Sequence, residues 1–469
     1  MTQLQRATTT SHFETRAPKL GFIAGFDGIR GVFVIMMITE HIFPGNFESF
    51  SLVLDAFFLM SAFLIVSLLM QEQRENGAVN MKKFYQRRAV RLLPSAYLHF
   101  VVWLIIGAVV TAAGVRVDGR NLLVEVCKDV AAAFTYTYHL VFPVGLAAVA
   151  PDEGLRPMGH LWSLSVEEQF YVIVAITVVV CLRRNWMRQL AVVCAVTSAY
   201  IVWSRYHMDL GPWPGSDVSD SIWSRGLQLL WMQRPDALLI GVVVAVINAY
   251  LPAGATERWR APLKVMGWLG FLLLAFTLIW SSEAAHKLGW PFYIPNLPDK
   301  VSFTQGVLQC RSESGVLTNC GDTTWFFRIG HNFSAISIAP VMFCLARFPE
   351  WLPNKILGFK LFRTLGRMSY TLYVWHILAI LAVTGAVENS ARPVQFVVKL
   401  AAVFAVSWPV YHFVEQKALK RKIRYSAEKQ TLDLSTGKMV DTEAVIAAAS
   451  AKQSKEPKRP GREKPPFRR

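Results

Sequence analysis

Long apolar segments recur along almost the whole chain, separated by shorter polar stretches. A helix needs roughly 20 mainly apolar residues to cross the hydrocarbon core of a bilayer. Segment 121–148 is only moderately apolar and carries Glu125, Lys128 and Asp129, so we interpret it as a helix and loop packed at the membrane interface. Ten other segments predict an all-α integral membrane protein with about ten transmembrane helices: 22–41, 52–70, 92–114, 161–182, 189–207, 236–251, 265–282, 332–346, 369–386 and 395–414.

The composition agrees with the membrane class. Of the 469 residues, 53% are hydrophobic and only 17% are charged, whereas a soluble domain carries about 25% charged residues. The mean hydropathy is +0.33. These values exclude a soluble enzyme, a disordered chain and a fibre. The net charge of +17 does not predict a nucleic-acid partner, because residues 415–469 alone hold 15 Lys/Arg against 7 Asp/Glu.

The distribution of basic residues predicts the orientation in the membrane. With the N-terminus inside, the predicted inner segments before residue 369 hold 20 Lys/Arg in 84 residues, and the outer segments hold 11 in 141. Cytoplasmic loops carry the excess of Lys and Arg, so both termini are predicted to be cytoplasmic. Three regions follow: a cytoplasmic N-terminal segment (1–21), a membrane domain (22–416) and a basic, largely disordered cytoplasmic tail (417–469).

Two cysteines lie in the largest predicted outer loop. Cys310 and Cys320 are ten residues apart in a polar stretch. An extracytoplasmic loop permits a disulfide, so we predict a Cys310–Cys320 bridge, with two free thiols as the alternative. No spacing of Cys and His resembles a zinc site, and no metal is expected.

The first predicted span carries three polar residues on one side. Arg30 and His41 are eleven residues apart, so they share a helix face and are separated by roughly 16 Å along the axis. Asp27 precedes Arg30 by three residues and is placed to pair with it. A charge inside a span is costly and indicates function by default. The alternative is a buried Asp–Arg pair that fixes helix packing, with His41 an ordinary interfacial histidine.

The fourth predicted span opens with the block His160-Leu-Trp-Ser-Leu-Ser-Val-Glu-Glu-Gln-Phe-Tyr171. Glu167 and Glu168 are improbable as residues that face lipid. At least one of them is therefore expected to point inward at His41, His160 or Arg30.

A basic cluster and an aromatic cluster complete the candidate residues. Arg87, Arg88 and Arg91 precede the third span on the predicted cytoplasmic side. They are interpreted either as positive-inside anchors or as an anion site, because guanidinium groups bind phosphate through two hydrogen bonds. Tyr373 and His376 lie one turn apart in the ninth span, where the alternative to function is aromatic packing around a satisfied histidine.

These blocks, taken together and in this order, resemble the membrane acyltransferase-3 family of bacterial envelope O-acyltransferases. The matching blocks are Phe26-Asp-Gly-Ile-Arg-Gly31 with His41, Asp55-Ala-Phe-Phe-Leu-Met-Ser-Ala-Phe-Leu-Ile65, Arg87-Arg-Ala-Val-Arg-Leu-Leu-Pro94 with Tyr97, His160 to Tyr171, and Ser369 to His376. The chain departs from the family pattern at Ser61-Ala62-Phe63, where Ser-Gly-Phe is usual. The short basic tail is not expected to form a second, soluble domain.

The resemblance implies a multi-pass protein of the bacterial plasma (inner) membrane. It would transfer an acyl group, acetyl above all, from cytoplasmic acyl-CoA to a hydroxyl of an extracytoplasmic glycan or glycolipid. The implied partners are the bilayer, acyl-CoA and the envelope acceptor, with no metal and no nucleic acid. The alternative is a secondary transporter or a flippase for lipid-linked glycans that uses the same intramembrane polar residues.

The resemblance also implies roles for individual residues. His41 would act as the general base or carry the acyl group transiently, with His160 as the alternative histidine. Glu167 or Glu168 would orient an imidazole. Fixed donors for the developing oxyanion would come from Arg30, Trp162 or Ser163. The acyl-CoA site would comprise Arg30, Arg87, Arg88, Arg91 and Tyr97, and the remaining polar core would comprise Asp27, Ser61, Trp162, Ser163, Tyr373 and His376.

Overall fold

The computed structural model describes residues 23–43, 48–117, 119–142, 156–207, 235–280 and 330–422, together with five short strands. Helices dominate this part of the chain. They are α1 (Ala24–Ile42), α2 (Val53–Asn76), α3 (Met81–Ala112), α4 (Leu122–Phe134), α5 (Tyr138–Val141), α6 (Trp162–Arg184), α7 (Met187–His207), α8 (Pro235–Tyr250), α9 (Ala253–Arg258), α10 (Arg260–Trp280), α11 (His331–Arg347), α12 (Leu352–Leu357), α13 (Lys360–Val387), α14 (Arg392–Val410) and α15 (Gln416–Lys422). A π-helical turn, Tyr411–Glu415, joins α14 to α15, and 3-10 turns precede α2 and α6.

The strands form two small antiparallel sheets. β1 (Val301–Thr304), β2 (Val307–Arg311) and β3 (Leu317–Gly321) are adjacent in that order, with a register shift at Leu308/Gln309. β4 (Gln430–Asp433) pairs with β5 (Lys438–Asp441). The side chains of Cys310 and Cys320, and with them the predicted disulfide, lie outside the described residues, as do segment 1–21 and most of the tail.

Each of the ten predicted spans coincides with a helix. Six of the described helices are long and apolar enough to cross a membrane: those within Ser49–Asn76, Met81–Ala112, Gly159–Arg184, Arg260–Ile279, Lys360–Val387 and Arg392–Lys420. Two shorter apolar helices lie at Met187–Trp203 and Pro235–Tyr250. The chain is therefore a multi-pass helical membrane protein, whereas the count of ten spans and the cytoplasmic location of both termini stay predictions.

Glycines allow α1 and α13 to pack backbone against backbone. A Cβ atom built on Gly366 would lie 1.6 Å from the carbonyl oxygen of Asp27, and one on Gly31 would lie 2.3 Å from the carbonyl oxygen of Phe362. Small residues at helix interfaces permit such close approach in membranes. At the far end of α1, the Lys399 ammonium of α14 lies 3.5 Å from the Ile42 carbonyl oxygen. Within the described part of the chain, the first helix thus packs against two of the last.

We expect Gly366→Ala to destabilise this contact, because the added methyl group has no room beside Asp27. Overpacking of this kind costs about 1–3 kcal/mol. The measurement is thermal unfolding in detergent, followed by tryptophan fluorescence. Gly385→Ala is the matched control on the same helix, since a Cβ there meets nothing within 4 Å. Equal melting temperatures for the two variants would contradict the close packing.

Two apolar clusters frame the interior. The larger cluster centres on α2, which packs against α8, α11 and α6. At one end of it, buried polar pairs join the helices: His331 Nδ1 lies 2.7 Å from Asp55 Oδ2, and the Asn332 amide donates to Asp236 at 2.5 Å. The smaller cluster connects α3, α4, α6 and α13. The polar residues of the candidate site lie where these two clusters meet.

Candidate active site

The His41 ring is oriented by the backbone of its own helix. Its Nδ1 atom lies 2.9 Å from the carbonyl oxygen of Met37, one turn earlier. A carbonyl only accepts hydrogen bonds, so this contact assigns the proton to Nδ1 and leaves the lone pair on Nε2. The Glu40 carboxylate lies 3.5 Å from Nδ1, and the side chain of His41 is 30% exposed. A ring held in this way presents Nε2 as a base or a nucleophile.

Three further histidines lie next to His41. Its ring centroid is 4.8 Å from that of His376, which is 5.0 Å from His160, and His160 is 5.9 Å from His99. These residues come from α1, α13, the turn before α6, and α3. His99, His160 and His376 are buried. The structure therefore brings together three histidines that the sequence nominated, and adds His99, which sequence reasoning missed.

Two hydroxyl groups lie beside the histidines. The Ser163 and Tyr373 oxygens are 2.5 Å apart, and the Tyr373 hydroxyl also donates to the carbonyl oxygen of His160. These contacts tie the start of α6 to α13. Trp162, the neighbour of Ser163, packs edge-on against Phe58 of α2. The predicted polar core around the start of α6 is thus assembled with donors close to the imidazoles.

The two adjacent glutamates point to different partners. Both oxygens of Glu167 accept hydrogen bonds, from the Ser61 hydroxyl at 3.2 Å and the Tyr171 hydroxyl at 2.9 Å. Glu168 pairs with the Arg88 guanidinium at 3.1 Å, and that guanidinium also covers the ring of Tyr171 at 3.4 Å. Both acids therefore point inward, as expected for charges in a span. The groups that orient the imidazoles are backbone carbonyls.

A second group of charges lies nearer the predicted cytoplasmic end of α1. Asp27 interacts electrostatically with Arg30, Arg91, Arg363 and Arg367, which we call the arginine cluster. Glu415 interacts electrostatically with Arg91 and Arg30 and accepts a hydrogen bond from Thr371. Among the described residues named here, four guanidinium groups thus interact with two carboxylates. Arg363 and Arg367, which precede the predicted ninth span (369–386), were missed by sequence reasoning. Both lie in the first turns of α13, where their four-residue spacing places them on one helix face.

Three predicted acyl-CoA residues have other partners, and one of them is Arg88, which pairs with Glu168 as described above. Arg87 pairs with Glu72 at 3.0 Å. The Tyr97 ring stacks on Phe134 of α4 at 5.8 Å and is exposed at the bundle surface. Of the predicted binding residues, the structure therefore brings Arg30 and Arg91 together.

An ion-pair cluster anchors the chain just before His160. Arg156 contacts Glu125 at 2.7 Å and Asp129 at 3.2 Å, and the backbone N–H of Met158 donates to Asp129. Burial raises the pKa of Asp129 to about 6, although Met158 and Arg156 oppose that shift. The predicted interfacial helix thus buries its acids against the segment that leads into the site.

The described residues contain no group of three or more His, Cys, Asp or Glu side chains with the geometry to hold a metal ion. The histidine rings are arranged edge to face, as in aromatic packing.

Comparison with known proteins connects this geometry to chemistry. The family model described as an acyltransferase domain matches residues 23–412. The chain is 24% identical over 398 residues to the peptidoglycan O-acetyltransferase OatA of Listeria monocytogenes, covering 84% of this chain and 55% of that protein. It is 26% identical over 407 residues to YrhL of Bacillus subtilis, provisionally named a peptidoglycan O-acetyltransferase, covering 84% and 54%. The chain spans about half the length of these relatives. No solved structure matches it.

Proposed function

The chain belongs to the membrane acyltransferase family that its motifs indicated, and from this premise we propose that it transfers an acyl group from cytoplasmic acyl-CoA to a hydroxyl of an extracytoplasmic glycan. The observation that carries the proposal is the layout of α1. Arg30, in the arginine cluster, lies on the predicted cytoplasmic side, and His41, among the other histidines, lies roughly 16 Å further out on the same helix face.

The arginine cluster suits the donor. Coenzyme A carries several phosphates, and guanidinium groups bind phosphate with charge-assisted hydrogen bonds. If the phosphates of the donor bind at Arg30 and Arg91, its thioester must reach the histidines, roughly 16 Å away along α1. The extended pantetheine arm of coenzyme A does this, so the thioester would reach the histidines while the nucleotide stays on the cytoplasmic side.

The histidine end suits the transfer. His41 Nε2 would take the proton of the acceptor hydroxyl while the hydroxyl oxygen attacks the thioester carbonyl carbon. The C–S bond would then break, and the coenzyme A thiolate would leave. The Ser163 hydroxyl, which lies beside Tyr373 near the imidazoles, is the candidate donor to the carbonyl oxygen as it becomes negative. Arg30 lies too far along α1 to serve in this role. Attack by His41 Nε2 itself, with an acyl-histidine intermediate, is the alternative route.

The acceptor is proposed from chemistry and from the names of the relatives. A hydroxyl must approach His41 from the predicted outer side, where a bacterial plasma-membrane protein meets the envelope. Two relatives are named for transfer to peptidoglycan. We therefore propose a peptidoglycan-type glycan as acceptor and acetyl as the transferred group.

The test uses the purified full chain in lipid nanodiscs. Acetyl-, succinyl- and longer acyl-CoA donors are offered with soluble peptidoglycan fragments, and free CoA thiol and the mass of the glycan are measured. We expect acetyl-CoA to release CoA in step with a mass gain of one acetyl group per modified hydroxyl. A folded protein that releases no CoA with any donor would contradict the proposed function.

Arg91→Gln and Arg367→Gln are expected to raise KM for acetyl-CoA by about tenfold each and to leave kcat within about threefold, since one charge-assisted contact is worth roughly 1.5–3 kcal/mol. If the 3′-phosphate of coenzyme A is the group that the cluster binds, a donor without it should give a smaller difference in KM between these variants and wild type. Arg184→Gln is the matched control, because Arg184 is exposed on the same predicted side. An equal rise in KM for acetyl-CoA in Arg184→Gln and Arg91→Gln would show that the arginine cluster does not bind the donor.

A further inference from the structure

A row of polar side chains lies along one face of α6. Ser163, Glu167 and Tyr171 recur at intervals of four residues, so each lies one turn from the next. The row extends over roughly 12 Å along the helix axis. Polar and ionisable groups inside a span are costly and indicate function by default. This face of α6 is therefore a candidate surface for binding a polar molecule inside the membrane domain.

Glu167 lies between the two ends of the candidate site. Its carboxylate interacts electrostatically with Arg30, which belongs to the arginine cluster. It also interacts with Tyr373, whose hydroxyl lies beside the histidines. Because α6 begins at the histidine end, Glu167 is displaced from Ser163 by one turn, roughly 6 Å, toward the arginine cluster. A donor that extends from the arginine cluster to His41 is therefore expected to pass this carboxylate.

Two hydroxyl groups hold the Glu167 carboxylate in place. Ser61 of α2 donates to one oxygen at 3.2 Å, and Tyr171 donates to the other at 2.9 Å. An ionised carboxylate has about four lone-pair sites, so each oxygen is able to accept another hydrogen bond. Ser61 and Glu167 are half-buried, and part of their surface stays accessible. The carboxylate is thus a fixed acceptor whose capacity is not used up by the protein.

The donor proposed above carries a group that matches this acceptor. In acetyl-CoA, an ethylene unit joins the thioester sulfur to the nitrogen of an amide, and that nitrogen has an N–H to donate. The amide nitrogen is thus roughly 5 Å from the thioester carbonyl, close to the rise of one helical turn. Ser163 and Glu167 are also one turn apart. A thioester carbonyl at Ser163 therefore places the amide N–H at Glu167.

We propose that Glu167 binds the donor by accepting a hydrogen bond from the amide N–H next to the thioester. This proposal rests on the acyl transfer proposed above, and it assigns Glu167 to substrate binding instead of to the orientation of an imidazole. A hydrogen bond to a carboxylate is roughly twice as strong as one between neutral groups. It would hold the thioester carbonyl between Ser163 and His41, and such alignment of the reacting groups favours transfer.

The test measures the binding of two ligands to the full chain in nanodiscs. They are CoA and a CoA analogue in which an ester oxygen replaces this amide nitrogen, so that the N–H is lost. We expect wild type to bind the ester analogue about 10- to 100-fold more weakly than CoA, as for a hydrogen bond to a charged group. Glu167→Met lacks a strong acceptor and should bind the two ligands within about threefold of each other. Glu167→Gln should lie between.

The ratio of the two dissociation constants separates donor binding from a structural role. If Glu167 only joins α2 to α6, its substitution weakens the binding of both ligands by the same factor, and the ratio stays at the wild-type value. That result, or equal binding of both ligands by wild type, would overturn the proposal. Should Glu167→Met fail to fold, the ratio in Glu167→Gln decides, because it must be smaller than in wild type.

Thr177→Val is the matched control on α6. The Thr177 hydroxyl donates to the Ile173 carbonyl oxygen of the same helix at 2.8 Å, so its loss should leave the ratio of the two dissociation constants unchanged. A fall of this ratio in Thr177→Val equal to that in Glu167→Met would also overturn the proposal.

Turnover of acetyl-CoA distinguishes this proposal from the proposed function. If the ratio of dissociation constants is as expected and wild type releases no CoA from acetyl-CoA, the acyl transfer fails while the amide site stands. If wild type releases CoA and binds both ligands equally, the amide site fails while the acyl transfer stands.

Discussion

His41→Asn is expected to lower kcat for acyl transfer by about 10²- to 10⁴-fold, the usual contribution of a positioned general base. The asparagine amide replaces Nδ1–H and keeps the hydrogen bond to Met37, so the helix end is preserved while Nε2 is lost. The measurement is CoA thiol release under saturating donor, with donor binding assayed separately. Binding should be unchanged, because the arginine cluster lies about three helical turns away.

Two controls sharpen this expectation. Glu40→Gln removes the carboxylate 3.5 Å from the His41 ring. If this carboxylate only helps to orient the ring, its contribution is less than about 1 kcal/mol, and we expect kcat to change by no more than about fivefold. A single-turnover experiment with labelled acetyl-CoA then separates the two chemical routes: label retained on wild type but absent from His41→Asn would identify an acyl-histidine. Wild-type turnover by His41→Asn would remove His41 from the chemistry and favour His160 as the base.

Glu168→Gln is expected to lower the free energy of unfolding by about 3 kcal/mol, because it leaves the Arg88 guanidinium without its charge partner. Both side chains are largely buried, at 20% and 15% exposure, so solvent compensates little. The measurement is thermal or denaturant unfolding in detergent.

A double-mutant cycle tests the pair directly. The double variant Arg88→Met with Glu168→Met should recover most of the loss, since an apolar pair of similar size often replaces a buried ion pair at little cost. Glu167→Gln is the matched control next in sequence, because its side-chain oxygen still accepts one of the two hydroxyl hydrogen bonds. Equal stability of Glu168→Gln and wild type would show that the Arg88 contact contributes nothing.

The helical architecture was largely predictable because an apolar run long enough to cross the bilayer predicts a transmembrane helix. The third helix shows the limit of that signal. Its apolar part was placed at 92–114, but α3 begins at Met81 and continues through Pro94. The basic turns before residue 92 are helical without being hydrophobic, and hydropathy does not detect helices of that kind.

The candidate site was predictable where it lies on one helix and less so where it lies between helices. The spacing of Arg30 and His41 follows from helical phase alone. The meeting of His41 with His376, His160 and His99 depends on how α1, α13, α6 and α3 pack, which no local pattern encodes. A carboxylate was expected to orient an imidazole, whereas the rings are held by carbonyl oxygens, which every residue type provides.

The packing of α1 against α13 and α14 has a consequence for biogenesis. Lys399 and the Ile42 carbonyl, which it contacts, are 357 residues apart in sequence. At about 5–20 residues per second of synthesis, roughly 20–70 s pass between the emergence of α1 and that of its partners. During this interval α1 lacks its contacts with α13 and α14, and Asp27, one turn from Arg30, is the counter-charge that is already present on the same helix. The Asp27 carboxylate, which interacts with the arginine cluster in the folded protein, thus also compensates the charge of Arg30 while the rest of the chain is being made.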